Sequence, residues 1–205
     1  ILLRHLFPAY SQLRDGVWAK SRYVGAELQG KTVALIGFGS IGQALAHRLQ
    51  CFGVNLIAVR RSSDRLEGWD HVRFAPLHVA CEEADVISVQ VPLTAETRSL
   101  LGVAEFGAMT KQPVVINLAR YEVFDMHALQ NVVRSGGVRA ALIDPVSINQ
   151  ASETCRFEGP IYFLPHLGGS TVDAQRRIGT LIREQLAAWG LAPRGLEGSP
   201  LGQEE

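Results

Sequence analysis

The chain has 205 residues, of which 47% are hydrophobic and 20% are charged, a balance typical of a globular protein with a core of its own. Its 20 basic and 20 acidic side chains cancel, so charge gives no reason to expect binding to nucleic acid or to an anionic membrane. No apolar stretch is long enough to span a membrane, and the three scattered cysteines form neither a CxxC motif nor a disulfide framework, so we expect a cytoplasmic protein.

Short β-branched segments alternate with helical segments, a pattern typical of parallel strands joined by crossover helices. The predicted strands are residues 32–37, 55–59, 85–91, 113–117, 139–143 and 161–164. The predicted helices are residues 1–13, 41–52, 77–84, 125–135 and 171–189, and Asp125 is a good N-cap for the fourth of them. This order predicts an α/β fold with a doubly wound parallel sheet of the Rossmann type.

A glycine motif follows the first predicted strand and begins the next helix. It consists of Gly37, Phe38, Gly39, Ser40, Ile41 and Gly42. In such a GxGxxG pattern the first glycine permits a tight turn, the second lets the backbone approach a pyrophosphate, and the third lets helix and strand pack closely. The helix N-terminus adds unpaired amide groups and a partial positive charge. Because the motif stands between a strand and a helix, we favour a dinucleotide site over a purely structural turn.

The end of the second strand bears on the choice of dinucleotide. An acidic residue at this place binds the ribose 2′-hydroxyl of NAD(H), whereas arginine accepts the 2′-phosphate of NADP(H). The sequence has Arg60, Arg61 and Ser62 here, with no acidic residue before Asp64. Guanidinium groups form charge-assisted, forked hydrogen bonds to phosphate. We therefore predict NADP(H) as cofactor and NAD(H) as the alternative; a solvated basic turn is the competing interpretation.

Two later strand ends carry side chains suited to hydroxy-acid or keto-acid chemistry. Arg120 follows the strand at 113–117, and His166 follows the strand at 161–164. The guanidinium can bind a carboxylate, and the imidazole can move the hydroxyl proton while a hydride passes to or from nicotinamide. Spacing alone leaves a structural role open for both residues. The other five histidines lack metal-ligand spacing, and we predict no metal site.

Further motifs extend the pattern over most of the chain. They are GVW at 16–18, ELQGKTV at 27–33, ADVIS at 84–88, VPLT at 91–94, ETR at 96–98, NLAR at 117–120 and PHLGGST at 165–171. In this order they resemble the D-2-hydroxyacid dehydrogenases, the family of D-3-phosphoglycerate, glycerate/hydroxypyruvate and formate dehydrogenases. That family has two α/β domains, so the resemblance implies that the substrate domain is absent from this chain.

The resemblance implies roles for individual residues. Arg120 matches the arginine that binds the substrate carboxylate, His166 the acid/base histidine, and Asp144 an aspartate near the nicotinamide amide. Arg60 occupies the acidic position that selects NAD. Further cofactor contacts are implied at Val91, Pro92, Thr97, Leu118, Ala119 and Gly168. The resemblance also implies a small 2-hydroxy or 2-keto acid as substrate and a homodimer formed through the cofactor domain.

The same comparison implies a division of the chain into four parts. Residues 1–28 would form an N-terminal crossover helix and linker, and residues 29–169 the dinucleotide-binding domain. Residues 170–190 would form a C-terminal crossover helix, and residues 191–205, rich in Gly, Pro and Glu, a flexible tail. Such a chain corresponds to the cofactor-binding part of a longer enzyme.

Two residues depart from the family pattern. Asn149 stands where most members have a glutamate that hydrogen-bonds the histidine; an amide can orient His166 but cannot raise the pKa of its imidazole by charge. Formate dehydrogenases share this amide, and Glu153 is an alternative carboxylate. Tyr121 replaces the glycine after Arg120 and would be strained if that position needed a positive φ. These departures leave a second hypothesis open, a non-catalytic dinucleotide-binding module similar to the family's transcriptional corepressors.

Overall fold

The computed structural model describes residues 1–61, 66–144 and 148–191. The chain divides into two compact units, Ile1–Pro165 and a second one that begins at His166. The first unit contains a sheet with its covering helices, and the second contains one long helix. Within the described ranges, no helix combines the length and the apolar character needed to cross a membrane.

The first unit is built on a single seven-stranded parallel sheet. The sequence predicted its parallel arrangement and six of its seven strands. Its strands are β1 (Thr32–Ile36), β2 (Asn55–Val59), β3 (Val72–Phe74), β4 (Val86–Val89), β5 (Val114–Asn117), β6 (Ala140–Ile143) and β7 (Ile161–Phe163). They lie in the order β3-β2-β1-β4-β5-β6-β7. The order reverses between β1 and β4, which makes this the point of a doubly wound sheet where ligands bind.

Seven α-helices accompany the strands in the described part of the chain. They are α1 (Leu6–Arg14), α2 (Ser40–Leu49), α3 (Leu77–Glu83), α4 (Val103–Gly107), α5 (Met126–Arg134), α6 (Ile148–Glu153) and α7 (Val172–Ala188). Asp125 caps α5 as predicted, since its side chain accepts hydrogen bonds from the amides of His127 and Ala128. The last helix, α7, belongs to the second unit.

Both faces of the sheet are buried, which explains the nearly continuous apolar character of the strands. In β1, Ala34 and Ile36 pack into one hydrophobic cluster with Phe106 and Leu129. Their neighbours in the strand, including Leu35, pack into a second cluster on the other face. The clusters hold the strands on both sides and so fix the points at which the chain leaves them.

Three predictions differ from the structure. The helix predicted for residues 1–13 is interrupted: Leu2–Arg4 forms a 3-10 turn, and His5 then adopts a left-handed conformation (φ 53°) before α1 begins. Strand β3 was missed because it lies at the sheet edge and buries only Val72. The short helices α4 and α6 were also missed, since five or six residues are too few to establish a helical period.

Candidate nucleotide-binding and active site

The candidate site is built on the carboxyl edge of the sheet. Backbone hydrogen bonds continue the ladder one residue beyond the strands: Gly37 N donates to Val59 O (2.9 Å), Gln90 N to Ile36 O (2.8 Å) and Asp144 N to Asn117 O (2.9 Å). The segments after β1, β2, β4, β5 and β6 are therefore held along one edge. Parallel sheets of this kind bind their ligands there.

The glycines after β1 meet different surroundings. Gly37 has a φ of 101°, and a Cβ there would lie 2.9 Å from Gln90 O. A Cβ at Gly42 would lie 2.3 Å from Gly37 O, so the start of α2 packs directly on the loop. A Cβ at Gly39, in contrast, would meet nothing within 4 Å. The loop thus needs Gly37 and Gly42 for its own packing and leaves open space at Gly39, which fits the close approach of a pyrophosphate.

A cavity of about 520 Å³ opens beside this loop. Predicted cofactor residues in its wall are Gly37, Phe38, Gly39, Arg60, Arg61, Val91, Pro92 and Thr97. Ser40 and Ile41 are the exposed first residues of α2, and Gly42 is buried behind them. Ser62 lies outside the described residues. The structure therefore brings the glycine motif, both arginines and the VPLT–ETR segment together around one space.

Phe38 contributes to this loop in a way that the motif does not reveal. Its side chain is buried and meets the rings of Trp69 and Phe74 edge-on, with centroids 4.8 and 5.3 Å apart. Its carbonyl oxygen accepts a hydrogen bond from Gln43 Nε2 at 3.1 Å. Phe38 thus anchors the loop to the second hydrophobic cluster, and its backbone is the part available to a ligand.

The segment after β4 forms a closed turn over the cavity. Thr97 Oγ1 donates to Pro92 O at 2.6 Å and accepts from Thr94 N at 2.8 Å. This turn places Glu96 in the cavity wall, where its carboxylate accepts a hydrogen bond from Arg61 Nη1 at 3.0 Å. The motif analysis assigned no role to Glu96, because only the fold brings residues 61 and 96 together.

Gln90 is another cavity residue that the sequence analysis missed. Its amide nitrogen donates to Ser88 Oγ, but its Oε1 atom is buried and finds no hydrogen-bond donor among the described residues. An unpaired buried acceptor costs about 1–3 kcal/mol. A ligand that brings a donor to this oxygen would remove that cost, which is a second feature of the cavity that fits a polar ligand.

A turn after β5 presents Arg120. The buried Asn117 shapes it: Nδ2 donates to Arg120 O at 2.8 Å, and Oδ1 accepts from Ala119 N at 3.1 Å. The Arg120 side chain is exposed, and its Nη1 donates to Ala119 O at 2.7 Å. Leu118 is exposed as well, whereas Ala119 packs against the first hydrophobic cluster. A guanidinium held on a fixed turn at this edge is suited to binding a carboxylate.

Tyr121 does not strain this turn. In the described residues, the non-glycine residues with positive φ are His5, Ser99, Gln112 and His166. Tyr121 begins a 3-10 turn, Tyr121–Val123, and its ring packs against the first cluster. Burial raises the pKa of its phenol, and the carboxylates of Glu153 and Glu122 raise it further. The phenol therefore stays protonated at neutral pH, and the strain considered for this position is absent.

The remaining predicted residues lie in different parts of the chain. Asp144 is buried directly after β6, and the exposed Asn149 belongs to α6. His166 and Gly168 belong to the second unit, where His166 is exposed and has a left-handed backbone (φ 55°). The pairing of His166 with Arg120, and with Asn149 or Glu153, stays a prediction.

Metal coordination and thiol chemistry have no support in the described residues. Over residues 1–61, 66–144 and 148–191, no three His, Cys, Asp or Glu side chains are grouped so that they could hold a metal ion. Burial raises the pKa of the Cys81 thiol to about 12, with smaller contributions from Glu105 and Glu82. A thiol in that state is not a nucleophile at neutral pH.

Known proteins share this architecture. Residues 1–168 match the model of the family described as D-isomer specific 2-hydroxyacid dehydrogenase, NAD binding domain. The hydroxypyruvate reductase of Thermotoga maritima is 35% identical over 187 residues, and the D-3-phosphoglycerate dehydrogenase of Methanocaldococcus jannaschii 32% identical over 191 residues. The apo-structure of D-lactate dehydrogenase from Escherichia coli superposes with a TM-score of 0.80 at 26% identity, covering 96% of this chain and 64% of that one.

The two enzymes compared by sequence are longer proteins. Each alignment covers 89% of this chain, but only 60% of the Thermotoga protein and 36% of the Methanocaldococcus protein. The region matched by the family model contains the glycine motif, the Arg120 turn and all seven strands of the parallel sheet. The chain belongs to the D-isomer-specific 2-hydroxyacid dehydrogenase family and contains its NAD-binding domain.

Proposed function

We propose that this chain is the cofactor-binding part of an oxidoreductase that interconverts a small 2-hydroxy acid and its 2-keto acid, with NADP(H) preferred over NAD(H). The observation that carries the proposal is the cavity beside the glycine loop, with Arg60 and Arg61 in its wall. Two guanidinium groups and no described carboxylate directly after β2 suit a 2′-phosphate rather than a free 2′-hydroxyl.

Each part of the carboxyl edge has a role in this proposal. The loop from Gly37 to Gly42 and the N-terminus of α2 bind the pyrophosphate, and Arg60 binds the 2′-phosphate. The nicotinamide supplies or accepts the hydride when the dinucleotide is bound. We assign Asp144, directly after β6, to the nicotinamide amide. These assignments use the residues that follow β1, β2 and β6.

The substrate roles fall on two other residues. Arg120 binds the substrate carboxylate and polarises the carbonyl group, and His166 gives or takes the hydroxyl proton. Asn149 orients the imidazole through its amide. A hydroxypyruvate reductase among the similar proteins supports a small keto acid as substrate.

A titration of the purified chain with NADPH and with NADH, followed by nicotinamide fluorescence, tests the cofactor assignment. We expect tighter binding of NADPH. Arg60→Asp should weaken NADPH binding by about 10- to 100-fold, because it removes a charge-assisted hydrogen bond, and should improve NADH binding by offering a carboxylate to the ribose. As a control, Arg134→Asp makes the same charge change at a residue outside the cavity wall and should alter neither affinity.

Equal loss of NADPH and NADH affinity in Arg60→Asp would refute the 2′-phosphate assignment. Failure of the unsubstituted chain to bind either dinucleotide would refute the site itself. Tight binding without turnover in the natural polypeptide that carries this chain would instead favour the non-catalytic dinucleotide-binding module.

We also infer that two copies of the chain associate through the cofactor-binding unit, by way of the segment before its sheet. Large apolar side chains are exposed along it: Leu6, Tyr10, Leu13, Val17, Trp18 and Val24, with Trp18 78% exposed. Contiguous exposed apolar surface marks association sites. Trp18→Ser should convert a dimer to a monomer in sedimentation equilibrium, whereas Trp189→Ser, at a comparably exposed tryptophan after α7, should not. A wild-type chain that sediments as a monomer would contradict the inference.

We place the protein in the cytoplasm. Among the cysteines whose side chains the structure describes, Cys51 is an exposed free thiol and Cys81 a buried one. Free thiols persist in a reducing compartment. Fractionation of the source cells followed by immunodetection would check the assignment.

A further inference from the structure

Arg61 can pair with either of two anions, the carboxylate of Glu96 or a phosphate bound in the cavity. Its guanidinium lies in the wall of the cavity beside the glycine loop, next to Arg60, and its Nη1 donates to Glu96 Oε2 at 3.0 Å. Glu96 lies in the same wall. The cavity that we assign to the dinucleotide therefore contains a carboxylate as well as two guanidinium groups, and the carboxylate is paired with one of them.

The Arg61–Glu96 ion pair is weak enough for another anion to replace the carboxylate. The Arg61 and Glu96 side chains are 79% and 71% exposed, and ion pairs in such positions contribute little because water and salt screen them. A phosphate monoester carries more charge than a carboxylate and offers three acceptor oxygens. It therefore competes effectively for the same guanidinium.

Glu96 remains close to the cavity after it loses its partner. Thr94 and Thr97, on either side of it, are held in a turn: Thr97 Oγ1 bonds to Pro92 O and Thr94 N, and Thr94 Oγ1 lies 3.2 Å from Thr97 Oγ1. A turn tied at both ends limits how far the residue between them can retreat. A 2′-phosphate bound by Arg61 would thus sit near an unpaired carboxylate of the same sign.

We propose that Glu96 is a specificity-determining residue: its carboxylate competes with the 2′-phosphate of NADP(H) for Arg61 and narrows the preference for NADPH over NADH. With NADH bound, Arg61 remains paired with Glu96. With NADPH bound, Arg61 turns to the phosphate and Glu96 is left facing it. The inference rests on the proposed assignment of NADP(H) to this cavity.

Binding titrations of Glu96→Gln with NADPH and NADH test the proposal. We expect the variant to bind NADPH about three- to tenfold more tightly, because both the competition and the repulsion are removed, and NADH within about twofold of the unsubstituted chain. The gain for NADPH should shrink as salt is raised. Titration with 2′,5′-ADP and 5′-AMP should give the same pattern, since the difference lies in the 2′-phosphate alone.

Glu158→Gln is a matched control. Glu158 pairs with Arg134 at 2.8 Å, is 74% exposed and lies outside the cavity wall, so the variant loses the same charge and kind of ion pair without touching the site. It should leave both affinities unchanged. A double-mutant cycle with Arg61→Gln isolates the coupling: without Arg61, Glu96→Gln should gain clearly less for NADPH.

Three results would overturn the inference, and they are distinguishable. An unchanged NADPH-to-NADH ratio in Glu96→Gln, with Arg60→Asp still shifting that ratio, refutes the role of Glu96 alone. A preference for NADH in the unsubstituted chain, with no selective effect of Arg60→Asp, refutes the cofactor assignment together with it. Weaker NADPH binding in Glu96→Gln would show that Glu96 positions Arg61 instead of competing for it, and would also overturn the proposal.

Discussion

Gly42→Ala is expected to weaken dinucleotide binding strongly and to lower the stability of the chain. A Cβ at this position would lie 2.3 Å from the backbone oxygen of Gly37. Neither atom can rotate away, so α2 and the glycine loop must move apart. Overpacking of this kind costs about 1–3 kcal/mol in the free energy of unfolding. The same displacement withdraws the helix N-terminus from the phosphate position, and affinity for both NADPH and NADH should fall by at least about 100-fold.

Two further alanine variants separate packing from ligand contact. Gly39→Ala adds a Cβ where nothing lies within 4 Å, so the free energy of unfolding should stay unchanged while dinucleotide affinity falls, because the added methyl group occupies the open space before the loop. Gly107→Ala, at the end of α4, also meets nothing within 4 Å and should change neither quantity. Denaturant unfolding and fluorescence titration give the two readouts. If Gly39→Ala bound both dinucleotides normally, the pyrophosphate would not lie against this loop.

Arg120→Lys is expected to lower kcat/KM for keto-acid reduction by about 100- to 1000-fold, measured in the natural polypeptide that carries this chain. Lysine keeps the charge but loses the fork that binds both carboxylate oxygens. Dinucleotide affinity should stay the same, because Arg120 is not part of the wall of the cofactor cavity. Arg134→Lys, a change of the same kind on an exposed arginine of α5, should leave kcat/KM unaffected.

The buried Asn117 provides a sharper test of the same turn. Asn117→Asp can still accept from Ala119 N but can no longer donate to Arg120 O, so the turn loses the bond that holds the arginine. We expect a smaller loss of kcat/KM, of about tenfold, with dinucleotide affinity unchanged. If Arg120→Lys retained full activity, the guanidinium would not bind the substrate carboxylate and the proposed mechanism would be wrong.

Six of the seven strands could be predicted from the sequence, because parallel strands buried on both faces are short and almost wholly apolar. β1 and β4 are such segments, and the residues after them could be placed at the sheet edge by topology alone. β3 lacks this signal, since it is an edge strand with Arg73 and Phe74 exposed. α1 was predicted to start too early because local propensity does not reveal the left-handed conformation of His5.

The sequence predicted the candidate site only where the residues of a motif lie in one local turn. Gly37, Gly39 and Gly42 belong to one local turn, so their distinct roles could be argued before the fold was known. Contacts between distant segments could not: Arg61 and Glu96 are 35 residues apart, and their pairing depends on the turn closed by Thr97. The burial of the Phe38 side chain depends likewise on Trp69 and Phe74.

The hydrogen bond from Gly37 N to Val59 O has a consequence for how a domain of this family can change its cofactor. It connects the start of the glycine loop to the residue before Arg60, between two paired strands whose faces are buried. The separation between the loop and the side chain at position 60 is therefore set by strand spacing and not by the loops. On the proposed cofactor assignment, replacing that side chain should exchange one dinucleotide for the other while the frame stays intact. A lineage could then alter its redox partner without passing through an unfolded intermediate.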